Sequence, residues 1–340
     1  MRFSWILFIT LSSFAATAQP RVLHFTRTSG FDHNTRAVSL AMFQSIGTAT
    51  GVLIDDDDSG APFNDPAQLA LYDVIVFSNT SGDAILDPTQ RGNFEQWIAE
   101  GGDVLGIHAA SDTYRHSTAN GSNTGSWDFY AELIGGSVQQ SPNHVVGTPL
   151  YAMNHIGQHA STAGLPDPWQ KNEEYYYWEG GFYNAGNVEV LQVEETVGPN
   201  AQVNSYDAPR PMSWYRLLPG GNKVFYTALG HAPSNYTADT LFRTHIANTL
   251  AWLLDPVTAV TELPDGSTQL LYPDPADTEI HVVLDAASEG RPILIYDIRG
   301  AVVLTDRMRG ERTTLGVAHL APGLYTVRVS DRTAMLRIVR

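Results

Sequence analysis

The chain has 340 residues, of which 36 are acidic and 20 are basic, and a formal net charge of −16. Because a nucleic-acid surface needs clustered lysine and arginine, this charge argues against a nucleic-acid partner. The sequence contains no cysteine, which excludes disulfides, thiolate metal sites and a cysteine nucleophile.

Residues 1–18 have the pattern of a secretory signal peptide. Arg2 supplies a positive start, an apolar run follows from 5 to 14, and Ala16-Thr17-Ala18 is a small-residue cleavage site. The apolar run is shorter than the roughly 20 residues that a membrane-spanning helix needs. No later segment is long and apolar enough to span a membrane. We therefore predict a secreted or cell-surface protein without a transmembrane segment.

Residues 19–254 predict an α/β domain in which strands alternate with helices. The first elements are a strand at 21–26, a helix at 33–48 capped by Asp32, strands at 51–54 and 73–77, a helix from Pro88 to Ile98 and a strand at 103–107. Asp87 and Gln90 form a capping box around Pro88, which is a strong helix start. Alternation of this kind predicts a doubly wound, mostly parallel sheet.

An acidic run, Asp55 to Asp58, follows the second predicted strand. Several carboxylates together can bind Ca²⁺, but this run lacks the glycine and glutamate spacing of an EF-hand. We therefore interpret the run as a solvated acidic loop.

His108 occupies the point where the strand at 103–107 turns into a corner of small residues. In an open α/β sheet, ligands bind just beyond the carboxyl ends of the strands, so a polar residue here lies at the reactive position. A nucleophile elbow presents serine or cysteine in this way. We therefore favour a functional role for His108 over that of a core histidine bonded to a carbonyl group.

The later part of the chain completes this domain and adds a second one. The remaining elements are a helix at 127–134, strands at 144–151, 188–193, 211–217 and 223–229, and a closing helix at 236–254. Residues 255–268 lack periodicity and predict a linker. Residues 269–340 contain about seven short alternating runs separated by Gly and Pro, which predict an all-β sandwich.

Residues 19–254 resemble the ThuA-like (trehalose utilisation) family, whose fold is similar to that of flavodoxin and of class I glutamine amidotransferases. The matching segments are SGFDH (29–33), GGDVLGIHAASDTY (101–114), WDFYAELIGG (127–136), HASTAGLP (159–166), EEYYYW (173–178), PMSWYR (211–216) and KVFYTALGH (223–231). The resemblance implies a shared scaffold and a carbohydrate or sugar derivative as partner. This chain has His108 where those amidotransferases have the elbow cysteine. Without a thiol, it cannot hydrolyse glutamine through a thioester.

Residues 269–340 resemble the type A sorting domain of the type IX secretion system of Bacteroidetes. The matching residues are Tyr272-Pro273-Asp274-Pro275-Ala276, Ile295-Tyr296-Asp297 with Gly300, and Leu320 through Gly323-Leu324-Tyr325 to the final basic strand. The family usually has Asn at position 274, and both residues make the same turn. The resemblance implies that the secretion machinery is a partner and that the protein is exported through the periplasm and across the outer membrane.

Polar residues at strand ends and in the following loops are candidates for one site. One interpretation is that they bind a divalent metal such as Zn²⁺ or Mn²⁺. The candidate metal ligands are His33, His108, His144 and His231. The same region can also act by proton transfer without a metal, and the candidate catalytic residues are His108, Glu174, His231 and Asp112. Glu173 and Glu174 face opposite ways if their segment is extended, and the family motif favours Glu174.

Aromatic residues are candidates for substrate binding because amphipathic rings can stack on sugars. The aromatic group around the EEYYYW segment is Tyr175, Tyr176, Tyr177, Trp178, Phe182 and Tyr183, and the selected candidates are Tyr114, Tyr176, Trp178 and Trp214. Two functions remain open. A carbohydrate-active hydrolase or isomerase predicts histidines that converge on a pocket. A non-catalytic carbohydrate-binding surface protein predicts an open aromatic platform and scattered histidines.

Overall fold

A computed structural model describes residues 19–116, 126–179, 186–193, 209–255, 271–273, 275–284, 289–297, 301–329 and 332–339. The chain divides into two compact units between residues 257 and 258. The predicted signal peptide lies outside the described residues, as do positions 256–268 of the predicted linker. Within the described ranges, no helix is long and apolar enough to cross a membrane.

The first unit is built on a nine-stranded sheet. In chain order the strands are β1 (Arg21–Phe25), β2 (Leu53–Asp57), β3 (Val74–Ser78), β4 (Asp103–Ile107), β5 (Leu150–His155), β6 (Trp169–Asn172), β7 (Val188–Val193), β8 (Arg210–Leu217) and β9 (Lys223–Thr227). They lie in the order β2-β1-β3-β4-β9-β8-β7-β5-β6. The pairs from β2 to β9 are parallel, and those from β9 to β6 are antiparallel. The α/β class is confirmed, and the sheet has an antiparallel half beside the predicted parallel one.

Helices lie between several of these strands along the chain, and two follow β9. They are α1 (Arg36–Thr50), α2 (Pro66–Leu69), α3 (Pro88–Ala99), α4 (Asp128–Ile134), α5 (Pro233–Thr237) and α6 (Thr240–Leu254), with 3₁₀-helices at Ala61–Asn64, His108–Asp112 and Ala160–Thr162. The predicted capping box of α3 is confirmed, since Asp87 accepts the Gln90 N–H and the Gln90 side chain accepts the Asp87 N–H. The predicted cap of α1 is wrong. Asp32 accepts the N–H of Asn34, which has a φ of 55°, and the helix begins only after this turn.

Several local predictions in this unit are corrected by the sheet. The strand predicted at 144–151 begins later, at Leu150, and forms β5. His144 lies before it and forms an isolated bridge with Tyr176. The predicted helix at 236–254 is two helices, since Asp239 caps a new start by accepting the Phe242 N–H. The short strand β6 carried no pattern that predicted it.

The acidic run belongs to strand β2 and its turn, so the prediction of a loop is wrong, although Asp56 and Asp58 are exposed as predicted. Asp55 forms an ion pair with Arg21 at 2.7 Å. Asp56 contacts both His24 and Arg36, Asp57 accepts the N–H of Ser59 and Gly60, and Asp58 pairs with Arg36. Each carboxylate is thus engaged by a basic or backbone group of the protein.

The strands β3, β4 and β9 are buried along their whole length. A parallel sheet covered by helices on both faces has this burial pattern. Their side chains therefore form the core, and the polar residues that follow them lie at the carboxyl edge of the sheet.

The second unit is all β. Its strands are β10 (Leu271–Tyr272), β11 (Glu279–Val283), β12 (Pro292–Tyr296), β13 (Val302–Arg307), β14 (Arg312–Gly316), β15 (Gly323–Val329) and β16 (Arg332–Ile338). They form one sheet in the order β10-β11-β14 and another in the order β13-β12-β15-β16, and neighbouring strands are antiparallel. Apolar residues of both sheets, such as Ile280 and Ile295, share one core. The predicted all-β fold of this unit is confirmed.

Candidate metal centre

Three histidines and one glutamate meet at the carboxyl edge of the parallel half-sheet. His33 follows β1, His108 directly follows β4, and His231 follows β9. Glu174 comes two residues after β6. One ligand atom of each residue lies within 4.8 Å of the ligand atoms of the others. The three histidines converge here because parallel strands end at the same edge. Glu174 reaches them from the segment that follows the antiparallel strand β6.

The three imidazoles surround one carboxylate oxygen, Oε2 of Glu174. This oxygen lies 3.2 Å from Nε2 of His108 and 3.2 Å from Nδ1 of His231. It lies 3.8 Å from Nε2 of His33. The rings are oriented roughly edge to face, with centroids 4.7 to 5.3 Å apart. Three nitrogens therefore point toward a common centre.

His108 is held in one orientation by its backbone and by one hydrogen bond. Its φ of 48° lies in the left-handed region, where strained residues of functional sites are found. The side chain is fully buried. Nδ1 lies 2.6 Å from the Ala228 carbonyl oxygen, which can only accept, so Nδ1 carries the proton. In the neutral ring, Nε2 then directs its lone pair toward the centre.

Glu174 carries the negative charge of the centre. Burial by itself raises the pKa of this carboxyl, but hydrogen bonds and charge from His108, His231 and His33, in the forms that carry a proton toward it, outweigh burial and hold the pKa well below its usual range. The same contact raises the pKa of His231, whereas burial lowers the pKa of His33. An ionised carboxylate among largely buried imidazoles attracts a proton or a metal cation.

The donor set fits a divalent metal ion. Imidazole nitrogens and a carboxylate oxygen are ligands of Zn²⁺, Mn²⁺ and related ions. Nδ1 of His231 is buried and forms no hydrogen bond within the described part of the chain, although it lies beside the carboxylate. Such a nitrogen is well placed to bind a metal ion, because it is buried, faces a carboxylate and has no hydrogen-bond partner of its own among the described residues.

Two further predicted site residues border this centre. Nε2 of His144 lies 3.2 Å from Oε1 of Glu174, and its side chain is 30 % exposed. His144 is outside the four residues whose ligand atoms converge. Asp112 ends the 3₁₀-helix that His108 begins, and it forms an ion pair with Arg115 at 3.1 Å. Burial raises the pKa of the Asp112 carboxyl, while the Arg115 charge lowers it.

Tyr176 is the predicted substrate-binding residue that contacts the centre. Its ring stacks on His108 with centroids 4.5 Å apart. Its hydroxyl group lies 2.9 Å from Nε2 of His108 and donates to that lone pair. Burial raises the pKa of the Tyr176 hydroxyl well above its usual value, so the group remains a donor.

Trp178, Trp214 and Tyr114 lie in the core, away from solvent. The indole rings of Trp178 and Trp214 meet edge to face at 5.1 Å and are fully buried. Their N–H groups donate to backbone carbonyl oxygens of Pro211 and Ile134, respectively. The Tyr114 hydroxyl bonds to the backbone of residue 86. These side chains pack the core, and none of them offers a face to a substrate.

Asn79 holds the histidine segments together, and no sequence pattern pointed to it. It follows β3 with a φ of 53° and is buried. Its Nδ2 donates to Oγ1 of Thr35 at 2.9 Å and to the Gly230 carbonyl oxygen at 3.0 Å. Its Oδ1 accepts the N–H of Ala109 at 3.3 Å. Each partner lies within two residues of a candidate ligand. The only available signal was the position of Asn79 just beyond an apolar strand.

Comparison with known proteins agrees with the described fold. The model of the ThuA family, described as trehalose utilisation, matches residues 21–253, and that of a secretion system C-terminal sorting domain matches residues 270–339. No curated protein sequence matches the chain significantly.

Similar solved structures include two ThuA-like proteins. A putative ThuA-like protein from Bacteroides uniformis is 18 % identical, with a TM-score of 0.56 over 73 % of this chain and 96 % of that one. A second from Parabacteroides merdae is 15 % identical, with a TM-score of 0.52 over 69 % and 90 %. A glutamine amido transferase from Methylobacillus flagellatus is 12 % identical, with a TM-score of 0.37 over 63 % and 70 %. At these identities, the two ThuA-like structures show a shared fold.

Proposed function

The chain belongs to the ThuA family, and on that premise we propose that it is an exported, metal-dependent enzyme that hydrolyses or isomerises a sugar derivative. The observation that carries the proposal is the convergence of His33, His108, Glu174 and His231 within 4.8 Å. The family description, trehalose utilisation, supports a carbohydrate context. The C-terminal sorting domain implies export to the cell surface or beyond. We propose the type IX system, the periplasm and the outer membrane as its route.

The four converging residues would hold a divalent ion such as Zn²⁺ or Mn²⁺. Such an ion polarises a substrate oxygen or lowers the pKa of a bound water. Thioester chemistry is excluded because the chain has no cysteine. We therefore propose that His108 binds the metal ion. It lies at the end of a strand, the position at which a nucleophile elbow carries its nucleophile.

Tyr176 would donate a hydrogen bond to the substrate. A neutral imidazole has one lone pair, so Nε2 of His108 cannot bind a metal ion and accept the Tyr176 hydroxyl group at once. If His108 held the ion, the buried Tyr176 hydroxyl would be free to donate its hydrogen to another acceptor. A substrate oxygen is the natural acceptor, and a hydrogen bond there is strong because water is scarce.

His144 and Asp112 are the proposed proton-transfer groups. His144 contacts Oε1 of Glu174, which lies on the other side of the carboxylate from the converging nitrogens, and it is accessible to solvent. The pKa of Asp112 is raised by burial, which brings a carboxyl closer to the range in which it exchanges protons.

Phe31 would supply an apolar surface for the substrate. Its ring is 66 % exposed. It lies edge-on to His33, with centroids 4.8 Å apart. An exposed aromatic ring next to a metal centre can pack against the apolar face of a sugar.

The alternative of a non-catalytic carbohydrate-binding protein has weaker support. It requires an open aromatic platform, but Tyr175, Tyr176, Tyr177 and Trp178 are each at most 3 % exposed. Phe182 and Tyr183 lie outside the described residues. The histidines converge rather than scatter, which favours the enzyme.

Metal analysis of the purified protein tests the proposed centre. We expect about one equivalent of Zn or Mn by plasma mass spectrometry and its loss in His108→Ala. His281→Ala is the matched control, since His281 lies in the second unit and bonds to Thr314. Metal-free wild-type protein after growth with both metals would contradict the proposal.

Product analysis tests the reaction class. The metal-loaded protein would be incubated with trehalose, other glycosides and their keto derivatives in deuterated water and followed by NMR. Free sugars indicate hydrolysis, and deuterium at a carbon next to a carbonyl group indicates isomerisation. If no sugar of this panel changes while metal is bound, the carbohydrate part of the proposal fails.

A further inference from the structure

Glu173 lies beside Glu174 but points away from the metal centre, into the protein. Its side chain is 1 % exposed. Oε1 accepts the backbone N–H of Glu174 at 3.1 Å and that of His231 at 3.2 Å. Oε2 accepts the N–H of Gly230 at 2.9 Å and Nδ2 of Asn235 at 3.1 Å. One carboxylate thus binds the backbone of two candidate ligands at once.

The charge of this carboxylate is balanced inside the protein. Nζ of Lys171 lies 3.6 Å from Oε2 of Glu173, and the lysine side chain is 3 % exposed. The same Nζ donates to Asn235 at 2.8 Å and to Asp239 at 2.6 Å. A buried ionised carboxylate persists when it is paired and hydrogen-bonded, and both conditions hold for Glu173.

The segment that Glu173 binds has little freedom of its own. Gly230 has a φ of 115°, and a Cβ there would lie 2.8 Å from the Tyr236 hydroxyl and 2.9 Å from Cγ2 of Ile107. Asn79 holds the Gly230 carbonyl group from one side, and Glu173 holds the Gly230 N–H from another. The backbone of Gly230, immediately before His231, is therefore fixed by two side chains.

We propose that Glu173 is a positioning residue that sets the distance between Glu174 and His231 and so preorganises the metal centre. The inference rests on the proposed function, because the positioned groups are its metal ligands. The two ligands come from segments that are 57 residues apart and have no covalent link nearby. A carboxylate with two oxygens in fixed geometry joins these segments without entering the centre.

The test is the isosteric variant Glu173→Gln in the full chain, titrated with Co²⁺ and followed by visible absorption. The amide nitrogen of glutamine cannot accept an N–H, so two of the four hydrogen bonds are lost. We expect Co²⁺ affinity to fall about 10- to 100-fold, the range seen when outer partners of metal ligands are removed. We also expect a changed visible spectrum, since the spectrum reports the ligand geometry and a purely structural role would leave it unchanged.

Asp239→Asn is the matched control. It removes another carboxylate from Lys171, keeps the oxygen that accepts the Phe242 N–H, and leaves the backbone of the ligand segments untouched. We expect wild-type affinity and spectrum from this variant. If Glu173→Gln fails to fold, Asn235→Ala removes one bond to the same carboxylate, and a smaller loss with the same spectral change is expected.

Each outcome decides the inference. Wild-type affinity and spectrum in Glu173→Gln would overturn it while the metal centre stands. Equal losses in Glu173→Gln and Asp239→Asn would also overturn it, because the effect would then be one of general stability. Absence of Co²⁺ binding by the wild-type protein would overturn the metal-dependent function, and this inference with it.

Discussion

At the scale of single residues, the candidate ligand His108 is oriented by partners that lie outside the candidate ligand set. His108 has its tautomer set by the Ala228 carbonyl group. Its Nε2 meets both Tyr176 and Glu174. Ala228 and Tyr176 are both buried, so they restrict the orientation of His108 before any ligand arrives. This arrangement allows individual hydroxyl and carboxyl groups to be tested one at a time.

Tyr176→Phe removes only the hydroxyl that we propose as a donor. We expect kcat to fall about 10²-fold, as when a single donor to a reacting oxygen is lost. Metal content is expected to stay unchanged, because His108 retains its ring and its bond to Ala228. Steady-state kinetics on the substrate identified by NMR, together with metal analysis, measure both quantities.

Tyr175→Phe is the control for that variant. The Tyr175 hydroxyl donates to the Lys171 carbonyl group, away from the centre. Its loss should leave kcat near the wild-type value. Equal rates for Tyr176→Phe and wild type would remove Tyr176 from the reaction.

Asp103→Asn is expected to stabilise the protein at neutral pH. Burial raises the pKa of Asp103 to about 6, above its usual value of 3.8. The folded state therefore binds this proton more tightly than the unfolded state, and stability is lost as pH rises from 3.8 through about 6. Asparagine keeps an oxygen for the Lys223 N–H and carries no charge.

Urea unfolding at pH 5 and pH 7.5 measures this effect. The advantage of Asp103→Asn should grow by about 1 kcal/mol between the two pH values. An advantage that is independent of pH would contradict a raised pKa at this position.

At the scale of elements, buried histidines link helix α6 to the short 3₁₀-helix Ala160–Thr162. His245 lies in α6, is fully buried, and donates from Nδ1 to the Ser161 carbonyl group at 3.0 Å. Burial lowers the pKa of His245 to about 4. Burial also lowers the pKa of His159, just before the 3₁₀-helix, to about 4. The contact between these elements therefore depends on neutral imidazoles.

Stability is expected to fall in mild acid because of these groups. The unfolded chain binds a proton at His245 with a pKa near 6.5, and the folded chain only near 4. Protonation below pH 6.5 thus favours unfolding, and the contribution of His245 is lost progressively until about pH 4. Between pH 7 and pH 5, the free energy of unfolding should fall by about 2 kcal/mol for this group.

His245→Asn isolates that contribution. Asparagine keeps a donor for the Ser161 carbonyl group and does not titrate. Chemical unfolding of both proteins at pH 7 and pH 5 should give a smaller drop for the variant. The same drop in both would place the acid sensitivity elsewhere in the protein.

At the scale of the whole molecule, we propose a separate task for each of the two compact units. The first contains the candidate centre, and each ligand of that centre lies within residues 21–253, the range matched by the ThuA family. The second has its own core of residues 271–338 and matches a sorting domain. Because each unit has its own core, we expect the two tasks to be separable.

Deletion of residues 259–340 is the corresponding experiment. The truncated protein should keep its fold and metal content but remain in the periplasm. Cell fractionation with antibody detection, beside metal analysis of the purified fragment, measures both. Arrival of the truncated protein outside the cell would contradict the role assigned to the second unit.

Patterns within a few residues were sufficient for much of this architecture. The capping box at Asp87, the apolar strand at 73–77 and the small-residue corner at His108 depend on local hydrogen bonds and periodicity, and these were predicted correctly. The adjacent pair Glu173 and Glu174 shows what local patterns cannot predict. An extended backbone predicts that the two side chains point in opposite directions, but it does not predict which residues each of them contacts.

The partners were decided by the order of the strands, which no local pattern contains. The contact of His108 with Glu174 spans 66 residues, and that of Asn79 with Gly230 spans 151. The burial of Trp178 and Trp214 likewise follows from how the sheet and helices pack. Residue types and periodicity therefore revealed the scaffold and the candidate chemistry. Only long-range packing decided which side chains meet, because a hydrogen bond requires atoms to lie within about 3 Å in space, whatever their separation in the chain.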